Sequence, residues 1–269
     1  MPSVCELWFV VMMIENYEPA LVDIIFRFTK SYTFKTNKEL REGVILWCEK
    51  REEALLKFGH ISEWDVSHIT DMYKLFSFKL SFDDDITRWD VSNVTTMDSM
   101  FYYSEVFNQP IGDWDVTRVT NMYDMFHHAY KFNQPIGDWD VSNVINMRGL
   151  FSCAKSFNQT IGDWDVSNAI IMHCMFLCAN AFNQPIGDWD VSNATDMSFM
   201  FYHTEAFNQP IGNWDVSSVT NMSCMFCNAI QFNQPICNWD VSNVVNMRSM
   251  LECVRNFDYD KFKPRIMEL

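Results

Sequence analysis

The sequence predicts an α/β fold: a solenoid of eight 25-residue turns, each with a short strand and a short helix. Trp followed by Asp-Val recurs every 25 residues without a slip, and a Met stands eight residues after each Trp. Because no single turn can bury its own apolar side, we expect the turns to stack and to form ladders of Trp, Met and Phe. The eight Trp residues of this pattern are Trp64, Trp89, Trp114, Trp139, Trp164, Trp189, Trp214 and Trp239.

The strand of each turn is expected at Trp-Asp-Val. The pattern Ile111-x-x-Trp114-x-Val116 matches the strand segment of leucine-rich repeats, whose period of roughly 20–29 residues includes 25. Side chains alternate along a strand, so Trp and Val should point into the core and Asp should point outward.

The helix of each turn is expected after the strand. Val119, Met122, Met125, Phe126 and Ala129 follow one another at steps of three, three, one and three, which fits one face of a short helix or 3₁₀ turn. Ser and Asn stand just ahead of this face and are suitable N-caps. The Met columns are interpreted as packed core.

A recurring Asn predicts a second kind of ladder. Phe-Asn-Gln precedes the next turn in six copies. We expect a buried amide ladder in which each side chain bonds its own loop and its neighbour. Its members are Asn108, Asn133, Asn158, Asn183, Asn208 and Asn233.

The phrase Phe-Asn-Gln-Pro-Ile-Gly-Asp-Trp-Asp-Val-Ser-Asn-Val, ending in Asn-Met-x-x-Met-Phe, resembles the repeats of the BspA-like leucine-rich-repeat family over about 61–257. The resemblance implies a right-handed, leucine-rich-repeat-like solenoid. Bacterial members are typically surface proteins that act in adhesion and host contact, so the resemblance also implies a surface location. Similar repeats occur in protists and in large DNA viruses, usually without a known activity.

The chain outside the repeats is expected to cap them. Residues 1–60 are predicted to form an N-terminal helical cap region, 61–257 the repeat solenoid, and 258–269 a C-terminal cap or tail. Thr36-Asn37-Lys38-Glu39 is a capping box, and the helix after it should run to about Lys57 and stop before Gly59. One face of that helix should hold Leu40, Val44, Trp47, Cys48, Arg51 and Leu55.

Pro19 to Thr29 is a second helix candidate, with Pro at its start. It loosely resembles the opening helix of an F-box, and an F-box joined to repeats would imply a ubiquitin-ligase adaptor. The alternative is a second capping helix.

The Asp of Trp-Asp-Val is the candidate binding residue. Like charges at strand spacing repel one another, so some gain should offset the cost. One interpretation is structural, with each Asp accepting a bond from the turn two residues on. The other is a recognition row for a cation such as calcium or for a basic partner, in which crowding raises some of the carboxyl pKa values. The row comprises Asp65, Asp90, Asp115, Asp140, Asp165, Asp190, Asp215 and Asp240, with a shorter second row at Asp113, Asp138, Asp163 and Asp188.

Charge and composition limit the classes of function that are expected. A net charge of -15 disfavours nucleic acid and anionic lipid and favours a basic protein or a cation. The sequence carries no catalytic triad, phosphate loop or cofactor fingerprint, so neither a reaction nor a cofactor is expected. The predicted function is a non-enzymatic protein-interaction scaffold, with an F-box-like adaptor and a calcium-dependent surface-binding protein as alternatives.

The number of cysteines and the N-terminal sequence indicate the cellular location. Nine Cys is an odd number, and the apolar stretch Leu7 to Ile14 is short and follows no Lys or Arg. These features predict an intracellular protein with free thiols and no membrane span. Cys153 and Cys178 share one column in adjacent turns, which brings them within the reach of a disulfide under oxidising conditions.

Overall fold

The computed structural model describes residues 31–255 and 257–258. The predicted helix at Pro19 to Thr29 lies outside the described residues, as does all but the start of the predicted tail at 258–269. Each 25-residue unit is called a repeat below. Repeats 1 to 8 begin at Ile61, Ile86, Ile111, Ile136, Ile161, Ile186, Ile211 and Ile236.

Two helices precede the repeats, α1 (Asn37–Glu49) and α2 (Arg51–Phe58). The Thr36 side chain accepts a bond from the Glu39 amide at 3.1 Å, as a capping box requires. The Glu39 carboxylate accepts from the Lys35 amide, one residue before the expected N-cap. Lys50 leaves the helical conformation with a φ of -143°, so the single predicted helix is two helices.

These helices pack on repeat 1. Leu40, Val44 and Trp47 of α1 are buried, and the rings of Trp47 and Trp64 lie 5.7 Å apart, edge to face. Arg51, on the predicted apolar face, is exposed and binds Asp84 through both terminal guanidinium nitrogens. The helices therefore cover the core of the first repeat.

Consecutive repeats are joined by parallel backbone pairing. One isolated parallel bridge per step links equivalent residues 25 positions apart. Beyond the bridge, every second amide donates to the residue 24 positions on; Asp124 and Phe126, for example, donate to the carbonyls of Arg148 and Leu150. The bridged residues are Asp71, Thr96, Asn121, Asn146, Ile171, Asp196, Asn221 and Asn246.

Over the residues that the structure describes, the predicted strand and helix of each repeat are not found. Among the described residues, helices are limited to α1, α2 and a 3₁₀ turn at Ile61–Glu63. Pairing lies seven residues after Trp, and Trp-Asp-Val is bridged only at Asp65, to Thr33. The segment predicted as a helix consists of successive β-turns that close between residues three apart, as between Met125 and Met122.

Two residues in each repeat explain why that segment is not a helix. Asp124 and His128 have φ values of 50° and 58°, in the left-handed region that interrupts a right-handed helix. The amides of Asp124, Phe126 and His128 instead donate to carbonyls of the next repeat. Spacing at three residues thus arises from stacked turns as readily as from a helix.

The apolar columns form the expected continuous core. The Trp, Met and Phe columns are almost wholly buried from repeat 1 to repeat 7. Phe101 stacks on Phe126 of the next repeat at 5.6 Å and on Phe107 of its own repeat at 3.9 Å. The right-handed, leucine-rich-repeat-like classification of this stack stays a prediction.

The Asn side chains form the expected ladder between neighbouring repeats, but the prediction that they are buried is wrong: they are half-buried, and Asn233 is exposed. Asn108 Oδ1 accepts from the Asn133 amide at 2.9 Å, and Gln134 donates to the Asn108 carbonyl at 2.9 Å. The same pattern recurs up to Asn233. In repeat 1, Asp83 takes the place of Asn and accepts from the Asn108 amide at 2.8 Å.

Candidate interaction surfaces

Each Asp of the predicted row closes a small turn of its own backbone. Asp140 Oδ1 accepts from the Ser142 amide at 3.0 Å, and Asp115 Oδ1 accepts both the amide and the hydroxyl of Thr117. The corresponding amide bond is present in all eight repeats. The structural interpretation of this column is therefore confirmed, and the bond fixes the orientation of each carboxylate.

The row is exposed from the second repeat onward. Asp90, Asp115, Asp140, Asp165, Asp190, Asp215 and Asp240 are all exposed. Asp65 differs because Thr33 donates its hydroxyl to Asp65 Oδ2 at 2.9 Å and the side chain is half-buried. The name "Asp row" is used below for the seven exposed members only. The second row, at Asp113, Asp138, Asp163 and Asp188, is exposed as well.

The expected rise in carboxyl pKa is wrong for Asp115, Asp140 and Asp165, whose pKa values are lowered. The hydroxyl and amide of Thr117 lower the pKa of Asp115, and those of Ser142 and Ser167 lower the pKa of Asp140 and Asp165. Repulsion from the preceding Asp raises the pKa of Asp140 and Asp165 by less than these bonds lower it. Neighbouring carboxylates repel one another, but Asp115, Asp140 and Asp165 are each stabilised in the charged form by their own turn.

The Asn that follows the Asp turn does not cap a helix. Asn143 and Asn168 donate their side-chain amides to the carbonyls of Thr117 and Ser142, 26 residues earlier. The same bond is made by Asn93, Asn193 and Asn243. The Asp therefore shapes the turn, and the Asn fastens it to the preceding repeat. This second role leaves no trace in the sequence beyond the recurrence of Asn.

Within the part of the chain that the structure describes, no three His, Cys, Asp or Glu side chains converge to hold a metal ion. The Asp row places one carboxylate per repeat, whereas Ca²⁺ usually takes six to eight oxygen ligands. A calcium ion on this row would need oxygens from more than one repeat.

A second surface is aromatic and was not predicted. Phe78, Tyr103 and His128 are equivalent residues of repeats 1 to 3 and stack in sequence, at 5.2 Å and then 4.1 Å. Tyr102 stacks on His127 beside them at 4.8 Å. Burial lowers the pKa of His128 to about 4, so its ring is neutral at physiological pH. These five residues are called the aromatic face.

A pocket of about 290 Å³ adjoins the aromatic face at the junction of α1 with repeat 1. Cys48, Arg51, Phe78 and Leu80 are among its lining residues. Phe78 is 63% exposed and Leu80 50%, so apolar area is open to solvent there. The signal in the sequence was a concentration of Tyr, Phe and His at positions that vary between repeats.

The described part of the chain, 31–255 with 257–258, contains no helix long and apolar enough to cross a membrane.

Comparison with known proteins identifies a repeat family. The family model described as "Mycoplasma protein of unknown function, DUF285" matches the chain twice, at residues 49–164 and 146–263. No curated protein matches the chain, and no solved structure does. The two matches run together through the repeats described above and cover well over half of the sequence. The chain therefore belongs to the DUF285 repeat family.

Proposed function

We propose that this chain is a non-enzymatic protein-interaction scaffold, a right-handed leucine-rich-repeat-like solenoid whose Asp row binds a basic segment of a partner protein. The observation that carries the proposal is the arrangement of seven exposed carboxylates, one per repeat, each fixed by its own turn. A carboxylate that is already oriented loses little freedom when it meets a cation, which favours binding.

The size of the row suits an extended peptide. Equivalent residues of adjacent repeats lie about 5 Å apart along a parallel ladder, so the six steps from Asp90 to Asp240 span roughly 30 Å. About nine residues of extended chain cover the same distance. The net charge of -15 steers a basic segment toward the molecule before contact is made.

The other recurring polar side chains are engaged inside the stack. The Trp indole, the Asn ladder and the Asn that follows the Asp turn all bond to backbone atoms of a neighbouring repeat. Recurrence in those columns is explained by stability alone. The Asp turn also needs an acceptor, but Asn or Ser supplies one at many such turns. The unvaried charge in this column therefore supports a binding role.

The test is a triple substitution of Asp140, Asp165 and Asp190 by Asn, which keeps the Oδ1 acceptor and removes three charges. The matched control replaces the exposed Glu42, Glu52 and Glu53 of the helices by Gln, with the same change in net charge. The probe is an oligolysine peptide, titrated against both variants and the unsubstituted protein. We expect about tenfold weaker binding for the Asp variant, at roughly 0.5 kcal/mol per exposed pair, and little change for the control.

Equal weakening in both variants would reduce the effect to net charge and refute a specific row. The same titration with added calcium tests the calcium-dependent alternative, which requires peptide binding to depend on calcium. The F-box-like alternative rests on Pro19 to Thr29 and is tested by whether the full chain binds the linker subunit of a ubiquitin ligase. The resemblance to BspA-like surface proteins supports contact with other proteins and makes adhesion the first cellular role to examine.

A further inference from the structure

Cys153 and Cys178 occupy the same position in repeats 4 and 5. The Cys153 amide donates to the carbonyl of Leu177 at 2.6 Å, so its backbone is paired with the residue directly before Cys178. Two backbone segments paired in this way lie about 4.8 Å apart. Disulfides span roughly 4.4–6.8 Å between α-carbons, so this spacing falls within their range. The backbone already has the separation that a disulfide needs.

The two side chains leave the backbone in the same direction. Both residues are in the left-handed region, with φ values of 57° and 54°, because they hold the same place in their stacked turns. The Cys178 thiol is hydrogen-bonded to the Cys153 sulfur. Both residues are half-buried, so a small oxidant can reach them.

The surroundings of the two sulfurs shift the pKa values of their thiols in opposite directions. The bond from Cys178 lowers the pKa of the Cys153 thiol, and His127, Ser152 and Lys155 act in the same direction, whereas burial opposes them. The bond to Cys153, aided by burial, raises the pKa of Cys178. These contacts favour the thiolate, which is the nucleophilic form, on Cys153 and the proton on Cys178.

We propose that Cys153 and Cys178 are an oxidisable dithiol, in which a hydroperoxide converts the pair into a disulfide that links repeats 4 and 5. The modification site is the Cys153 sulfur, and Cys178 is the resolving thiol. The product would join two neighbouring repeats covalently and prevent them from separating.

The chemistry balances in two steps. The Cys153 thiolate attacks one oxygen of hydrogen peroxide, the O–O bond breaks, and a sulfenic acid forms while hydroxide leaves and is protonated to water. The Cys178 sulfur then attacks the Cys153 sulfur, the S–O bond breaks, and the thiol proton leaves with that oxygen as a second water. Two thiols are oxidised by one peroxide, and no further reactant is needed.

Other cysteines of the repeats differ from Cys153 in the pKa of their thiols. Cys224 and Cys227 belong to one repeat, and burial raises the pKa of both thiols. Cys174 Sγ lies 3.1 Å from His173 Nε2, yet burial raises its pKa to about 12. These thiols stay protonated at neutral pH and are the internal controls.

The experiment treats the reduced full chain with equimolar hydrogen peroxide at neutral pH, alkylates the remaining thiols and maps the peptides by mass spectrometry. Chymotrypsin is the suitable protease because cleavage after Phe176 separates Cys174 from Cys178. We expect a Cys153–Cys178 peptide, formed at least about tenfold faster than Cys224 is oxidised. A bridge to Cys174 instead, or oxidation of Cys153 at the rate of Cys224, would overturn the proposal.

Two substitutions separate the steps. In Cys178→Ser the reaction should stop at a Cys153 sulfenic acid, which dimedone traps. In Cys153→Ser, Cys178 should remain open to alkylation, and Cys224→Ser should behave as the unsubstituted chain. Trapping of sulfenic acid on Cys178 in the Cys153→Ser variant would contradict the assigned roles. The mapping of the unsubstituted chain decides the proposal even if a variant folds poorly.

Discussion

The indole N–H of Trp164 donates to the backbone carbonyl of Ile136, 28 residues earlier, at 3.0 Å. The equivalent bond links every Trp from repeat 2 to repeat 8 with the first residue of the preceding repeat. The Trp column therefore supplies one inter-repeat hydrogen bond per step in addition to its buried area. A purely apolar side chain could fill the space but could not make the bond.

Trp164→Phe should destabilise the protein by about 1–3 kcal/mol, because the Ile136 carbonyl loses its partner in a buried place. Urea unfolding followed by circular dichroism measures the loss. Trp114→Phe is the matched control, since its bond to Ile86 is the longest of the series at 3.4 Å and should cost less to lose. Identical losses at the two positions would mean that ring volume, and not the bond, explains the Trp column.

Asn158→Asp should be tolerated, whereas Asn158→Ala should cost about 1–2 kcal/mol. Asn158 Oδ1 accepts from the Asn183 amide and from Gln184, both at 3.0 Å, and a carboxylate can replace it as acceptor. Asp83 plays that part in repeat 1. Thermal melts of the two variants check this, and equal destabilisation by Asp and Ala would show that the amide itself is required.

The sequence predicted the period, the buried columns, the helix start at Thr36 and the Asn ladder, because each depends on residues that recur or on a local signal. The pairing between repeats was predicted at Trp-Asp-Val, but it lies seven residues after Trp. Met122, Met125 and Ala129 fit a helical face, but Asp124 and His128 adopt left-handed conformations. Asp and His are enriched in that region, but the equivalent residues Ser99 and Tyr103 are not, so residue type alone does not predict it. Their conformations follow from bonds to the next repeat, which are long-range and invisible in a short window.

The candidate site was predicted in part for a similar reason. The Asp turns follow from local chemistry and were expected, whereas the loss of Asp65 from the exposed row depends on Thr33, which is 32 residues away. The aromatic face is formed from positions that vary between repeats. Phe78 and Tyr103 are different residues that share only their position in the stack, so recurrence in the sequence does not reveal them.

Acid should destabilise the protein through the Asp row. The folded-state pKa values of Asp140 and Asp165 are lowered by their Ser partners, so the stability they contribute is present above the unfolded carboxyl pKa of about 4 and is lost as the pH falls through the folded values. Urea midpoints between neutral pH and pH 3 should show a smaller decline for Asp140→Asn with Asp165→Asn than for the unsubstituted chain. An unchanged decline would place the acid sensitivity in other carboxyl groups.

The most direct test of the repeat as the structural unit is deletion of residues 136–160, one full repeat that starts and ends in register. Stability in a stack is roughly a sum over repeats and their interfaces, so the shortened chain should melt cooperatively at a Tm only a few degrees lower. Deletion of 136–147 removes half a repeat and should unfold the chain, while Trp164→Ala should cost about 3–5 kcal/mol. If the full-repeat deletion instead unfolds the chain, or lowers the Tm more than Trp164→Ala does, the account of interchangeable stacked repeats is contradicted.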